Sequence, residues 1–153
     1  METALMKLND ALQGVNKVFL DTSPVIYYVE AVPAFAEVVR GIFALIGKGQ
    51  MQGVVSPVTL AECVTLPIRL GQVELRKRFT DLLTATDGIV LVNIDAAIAQ
   101  QAAELRICYG LKLPDALQVA VGICAGCEAF LTNDVALKRV TELQVLVLGE
   151  LEV

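Results

Sequence analysis

At 153 residues, with 56% hydrophobic side chains, the chain is too apolar for a disordered segment and long enough for one domain with a proper core. Its net charge of −5 argues against a protein that holds nucleic acid by general positive charge, although a local basic rim would suffice for phosphate contacts. The longest apolar stretches are broken by Asp115, Gln118 and Glu128, short of the roughly 20 continuous residues of a membrane span. The opening METALMKLNDALQG lacks the apolar centre of a signal peptide, so a cytoplasmic protein is expected.

In chain order, residues 1–16 read as an N-terminal extension, with a helix over Ala4–Gln13. Lys17–Leu20 is the first short apolar strand. Asp21-Thr22-Ser23-Pro24 then reads as a helix start, with Ser23 as N-cap and Pro24 at the first helical position. Pro33–Lys48 carries a wide apolar helical face of Phe35, Val38, Val39, Ile42, Phe43, Leu45 and Ile46, suited to a partner. Gly53–Val55 is the second strand. A helix over Thr59–Leu70 follows, with Thr59-x-x-Glu62 matching a capping box. Val73–Thr84 is helical, Asp87-Gly88 a turn and Ile89–Val92 the third strand. Asp95 caps a helix over Ala96–Tyr109. Pro114–Ala125 is the last long helix, with Asp115 in its first turn. The strand Ala129–Leu131, an Asn133-Asp134 cap for Val135–Val140, and the strand Val145–Leu148 complete the pattern.

Strands that are apolar throughout, alternating with amphipathic helices, predict one domain over 1–153. Its class is α/β, a three-layer α/β/α sandwich with a mostly parallel sheet of about five strands. Ligands of such sheets bind beyond the carboxyl ends of the strands. Asp21 and Asp134 sit at such ends, and Glu62 and Asp115 lie near helix starts.

Singly, each of these acids has a structural explanation as a cap or first-turn carboxylate. Together they describe a pocket of like charges. Two carboxylates about 4 Å apart repel by roughly 4 kcal/mol at an effective dielectric near 20, so a cluster raises its own pKa values unless cations neutralise it. With no histidine in the chain, the donors are oxygens, which suit Mg²⁺ or Mn²⁺. Such ions lower the pKa of bound water and polarise a phosphoryl oxygen, the chemistry of metal-dependent phosphodiester hydrolysis.

The segments VFLDTSPVIYYVE, SPVTLAECV, LKLPDALQVAVGICAGCEAFLTND and ELQVLVLGE, in that order over residues 17–149, resemble the PIN domain, most closely the VapC-type ribonuclease toxins of toxin–antitoxin operons. The resemblance implies that Asp21, Glu62, Asp115 and Asp134 are the catalytic, metal-holding acids, with Ser23, Thr132 and Asn133 in support. It implies an Mg²⁺- or Mn²⁺-dependent endoribonuclease, an RNA substrate, a protein antitoxin and a homodimer. Two departures stand out: the residues before the first strand, and Gln118 where relatives often carry histidine.

Arg76, Lys77, Arg78 and Lys112 are the candidate RNA-phosphate contacts, with solvated helix faces as the plainer reading. The hydrophobic surplus predicts a subunit interface or partner groove. Cys63, Cys108, Cys124 and Cys127 are expected as buried thiols, because the single Cys124-Ala-Gly-Cys127 spacing lacks the further ligands zinc needs. An aspartyl phosphatase would need a second acid where Ser23 stands, and a receiver domain a lysine that is not evident. The non-enzymatic alternative is an inert PIN-type module that binds RNA or protein.

Overall fold

Side chains that alternate between two apolar faces give each central strand a helical layer on both sides. The computed structural model describes residues 4–153. In chain order its elements are β1 (Met6–Lys7), α1 (Leu8–Ala11), β2 (Lys17–Leu20), α2 (Thr22–Val29), α3 (Ala36–Gly47), β3 (Gln52–Val55), α4 (Pro57–Arg69), α5 (Val73–Ala85), β4 (Ile89–Leu91), α6 (Ala96–Tyr109), α7 (Leu113–Cys124), β5 (Ala129–Thr132), β6 (Gln144–Val147) and β7 (Leu151–Glu152). A 3₁₀ turn over Val135–Arg139 follows β5, and another over Leu148–Glu150 precedes β7.

The main sheet is parallel throughout, in the order β4-β3-β2-β5-β6. Val18, Leu20, Ala129 and Leu131 face one layer, where Val39, Ile42 and Phe43 of α3 and Phe79 and Leu83 of α5 complete the core. Phe19, Val54 and Phe130 face the other, against α6 and α7. Phe19 and Phe130 stack with ring centroids 5.0 Å apart. α7 lies so close to this pair that a Cβ at Gly122 would meet Phe19 Cβ at 3.3 Å, which is why a helix interior here carries glycine despite its low helix propensity.

This is the three-layer α/β/α sandwich that the alternation predicts. Three local expectations give way. Among the described residues the opening segment is helical only over Leu8–Ala11, residues 1–3 of the extension lying outside them, and Met6–Lys7 instead pairs in parallel with Leu151–Glu152, separate from the main sheet. Lys7 Nζ adds a bond to the Val153 carbonyl at 3.1 Å. The apolar face of α3 is consumed by the core, with Ala36, Val38, Val39, Ile42, Phe43 and Ile46 all buried, so it is not a partner surface. The exposed apolar side chains lie elsewhere, with Leu66, Ile68, Leu70 and Val73 grouped around the α4–α5 turn. Cys63 and Cys127 are buried as expected, and burial pushes both thiols up to about 12. Cys108 and Cys124 are exposed, because they fall on outward faces near the ends of α6 and α7. Among the described residues no single helix is long and apolar enough to cross a membrane.

Candidate active site

The chain runs from β2 outward through β3 to β4, then returns to place β5 on the other side of β2. Where the strand order reverses, the loops leaving β2 and β5 diverge and open a crevice at their carboxyl ends. Asp21 follows β2, and its N–H donates to the Leu131 carbonyl of β5 at 3.0 Å. Thr132 ends β5, and Asp134 lies two residues on. Glu62 projects from α4 and Asp115 from the first turn of α7. A cleft of about 290 Å³ is lined by Asp21, Thr22, Ser23, Tyr27, Glu62, Asp115, Thr132, Asn133 and Asp134. All four acids named from the sequence therefore meet in one place, together with Ser23, Thr132 and Asn133.

Asp21 is the best-fixed of them. It is the N-cap of α2, its Oδ1 accepting from the Thr22 N–H at 2.8 Å. The cap is thus Asp21 and not Ser23, which lies one turn position inside the helix and still reaches the cleft. Asp21 Oδ2 accepts from Thr132 Oγ1 at 2.8 Å, and Thr132 Oγ1 in turn accepts from the Asp134 N–H at 3.0 Å. Thr132, fully buried, thereby ties two of the four acids together. Burial raises the Asp21 pKa above the ordinary carboxylate value, against the three donors that lower it.

Glu62 is exposed and its Oε1 accepts from Thr22 Oγ1 at 2.7 Å. It takes no part in a capping box. That box belongs to Ser56 and Thr59: the Ser56 side chain accepts from the Val58 N–H at 3.0 Å and Thr59 Oγ1 from the Ser56 N–H at 3.1 Å. Glu62 is left free to face the cleft. Asp134 caps the 3₁₀ turn after β5 through the Ala136 N–H at 2.9 Å. Asn133 faces away from the carboxylates in its bonding, donating to the Tyr27 hydroxyl at 3.2 Å and accepting from the Gly149 N–H at 3.2 Å.

Asp115 reports the crowding. Its pKa is pushed up to about 6, first by burial, then by the charges of Asp21, Asp134 and Glu62, with Lys112 opposing. Each of the other three acids therefore lies within electrostatic reach. Among the described residues none of the four forms an ion pair with a lysine or arginine. Four carboxylates and neighbouring hydroxyls form an oxygen-only donor set that fits a hard divalent cation. As they stand, no three of these acids are placed to hold one ion together, so the fit lies in the chemistry of the donors and not in a preformed coordination geometry.

The basic candidates stand apart, since none of Arg76, Lys77, Arg78 and Lys112 lines the cleft. Arg78 Nη2 donates to the Val29 carbonyl at 2.9 Å at the end of α2, and Lys77 pairs with Asp81 one turn on at 2.6 Å. Lys112 is close enough to lower the Asp115 pKa. Sequence reasoning missed Thr22 and Tyr27. The hydroxyl beside Asp21 in DTS was the available signal for Thr22, whereas nothing local marks Tyr27 as the partner of Asn133.

The PIN domain family model matches residues 18–143. No curated protein matches the chain by sequence. Among solved structures, the chain resembles VapBC2 from Rickettsia felis, bound to a DNA fragment from its promoter, with a TM-score of 0.69 at 18% identity over 86% of this chain and 98% of that one. A toxin–antitoxin complex from Klebsiella pneumoniae gives 0.64 at 21% identity over 87% and 98%. Mycobacterium tuberculosis VapC20, a sarcin–ricin loop cleaving toxin, gives 0.62 at 19% over 74% and 86%.

Proposed function

The chain belongs to the PIN domain family, and from that premise we propose that it is a metal-dependent endoribonuclease, the toxin of a toxin–antitoxin pair. The observation that carries the proposal is the cleft at the strand reversal, where four carboxylates crowd together and, among the described residues, no lysine or arginine pairs with any of them. Such crowding costs stability in the empty protein and is relieved by a divalent cation. Asp21, Glu62, Asp115 and Asp134 are the residues that would hold Mg²⁺ or Mn²⁺. When bound, the ion supplies Lewis acidity toward a phosphoryl oxygen and lowers the pKa of water.

The chain's own residues supply position. Thr132, the Thr22 N–H and Gln118 fix the Asp21 carboxylate, and Thr22 Oγ1 steadies Glu62. Asp115, with a pKa of about 6, holds a proton in part of the molecules near neutrality and gives it up as positive charge enters the cleft. Ser23, on the first turn of α2, faces the same space as a donor to water or phosphate. The chain has no histidine, so no imidazole acid–base route is available.

RNA as substrate is supported by the likeness to a toxin that cleaves the sarcin–ricin loop. An antitoxin is supported by the likeness to chains solved in toxin–antitoxin complexes. The exposed Leu66, Ile68, Leu70 and Val73 form one apolar surface that would suit an antitoxin or a second copy in a homodimer. Lys112 is the basic residue best placed to meet RNA phosphates beside the acids.

Purified protein incubated with a structured RNA pool in Mg²⁺, Mn²⁺ or EDTA tests the reading beside Asp21→Asn. Cutting that needs metal and vanishes in the variant is expected. An RNA that is bound but never cut in either metal would make this a binding module and refute the nuclease.

A further inference from the structure

Gln118 is a polar side chain with no exposure at all, set in α7 between apolar neighbours. A buried amide must place two donors and an acceptor or lose several kcal/mol, so its surroundings show what it is for. Its Oε1 accepts from Ser56 Oγ and from Thr59 Oγ1, the latter at 3.1 Å. Its Nε2 donates to Thr59 Oγ1 at 2.9 Å and to Asp21 Oδ1 at 3.5 Å. Among the described residues no buried side-chain polar atom lacks a partner.

The protons decide which way the amide faces. An ionised Asp21 can only accept, so the nitrogen end of the amide faces its Oδ1 and the oxygen end takes the Ser56 hydroxyl proton. The oxygen end of the amide is thereby turned to the start of α4. Asp21 Oδ1 then accepts from Gln118 and the Thr22 N–H, and Oδ2 from Thr132. A carboxylate oxygen has two lone pairs, so Oδ2 is the oxygen with one left to offer.

Resting on the reading of Asp21 as a cation-holding acid, we propose that Gln118 is a positioning residue, whose amide, oriented by the α4 cap, turns the open lone pair of Asp21 toward the cleft. The N-terminus of α4 and the middle of α7 thus reach the Asp21 carboxylate at the end of β2 through neutral side chains.

Mn²⁺ affinity of the purified, RNA-free protein, measured by calorimetry, tests this without any turnover. The proteins compared are wild type, Gln118→Met, Ser56→Ala and Asp21→Asn, each with its melting temperature in EDTA. Groups that orient a metal ligand typically change affinity by about 10–100-fold. With its long contact to Asp21, Gln118→Met is expected at the lower end, about tenfold weaker than wild type. Ser56→Ala keeps the glutamine and removes the hydroxyl that holds its oxygen end, together with the cap bond to the Val58 N–H, so a lower melting temperature and a smaller loss of affinity in the same direction are expected. It also serves if Gln118→Met does not fold. A lowered melting temperature with wild-type Mn²⁺ affinity in both variants would overturn the proposal, leaving Gln118 a core polar residue. Wild-type protein that binds Mn²⁺ no better than Asp21→Asn would overturn the metal reading itself, and this inference with it.

Discussion

Replacing Asp115 with Asn removes one of four like charges from the cleft while nearly keeping the side chain's shape. An unfolded Asp115 ionises near 3.8, the folded one at about 6. Between those values unfolding releases a proton. The stability contributed by the neutral acid is therefore full below about pH 4 and is lost as the pH rises through 6. Two pKa units correspond to about 3 kcal/mol at most. The side chain is only half-buried, so solvent screening reduces this to about 1 kcal/mol. The Asn variant escapes that loss. For a domain of this size it should melt about 2–4 °C above wild type at pH 7 in EDTA, and level with wild type near pH 4. Saturating Mg²⁺ should shrink the gap at pH 7, because the ion relieves the repulsion only in the protein that retains it. Thermal melts followed by far-ultraviolet circular dichroism at the two pH values decide the matter. A variant that melts below wild type at pH 7 would refute the reasoning and make Asp115 a favourable first-turn charge of α7.

Glu128 should show the opposite sign. Its Oε1 accepts from the Asn16 and Lys17 N–H groups, each at 2.8 Å, and these bonds hold its pKa below the ordinary value. Its contribution is present above the unfolded pKa and is lost as the pH falls, so Glu128→Gln should lower the melting temperature at pH 7 and the deficit should close in acid. Arg78→Ala should destabilise the fold by about 1 kcal/mol through the lost bond to Val29. Lys112→Ala should reduce the salt slope of RNA binding by about one, and an unchanged slope would remove Lys112 from the interface. Iodoacetamide on the folded protein, read by peptide mass spectrometry, should label Cys108 and Cys124 and spare Cys63 and Cys127, whose thiols are buried and pushed up to about 12.

The strands and long helices were legible because buried parallel strands and amphipathic helices leave strong periodic patterns. Ala96–Tyr109 agrees residue for residue, since Asp95 caps its start and Gly110, at φ +64°, ends it. The four acids were legible as neighbours because strand ends and helix starts of a parallel sheet gather at one edge. The local bonding was less so. Ser23 reads as a cap because Pro24 follows it, yet the chain turns one residue earlier to leave β2, and Asp21 takes the role. Glu62 fits a capping-box spacing, but Pro57 starts α4 earlier and passes the box to Ser56 and Thr59. The opening segment carries a helical pattern, and its pairing with Leu151–Glu152, from the far end of the chain, has no local signal at all.

The place of β5 in the sheet also sets a schedule for synthesis. β2 is made early, and the partner that completes its second edge is not translated until residue 132. Asp115, Thr132 and Asp134 all belong to the last third of the chain, and Asp21 lacks its Thr132 bond until they arrive. A chain that has not yet been extended to Asp134 can pair β2 with β3, but it cannot assemble the cleft. Closing a contact across about 110 residues is slow compared with local folding. The carboxylate cluster therefore forms only when the late strand slots into the middle of the sheet.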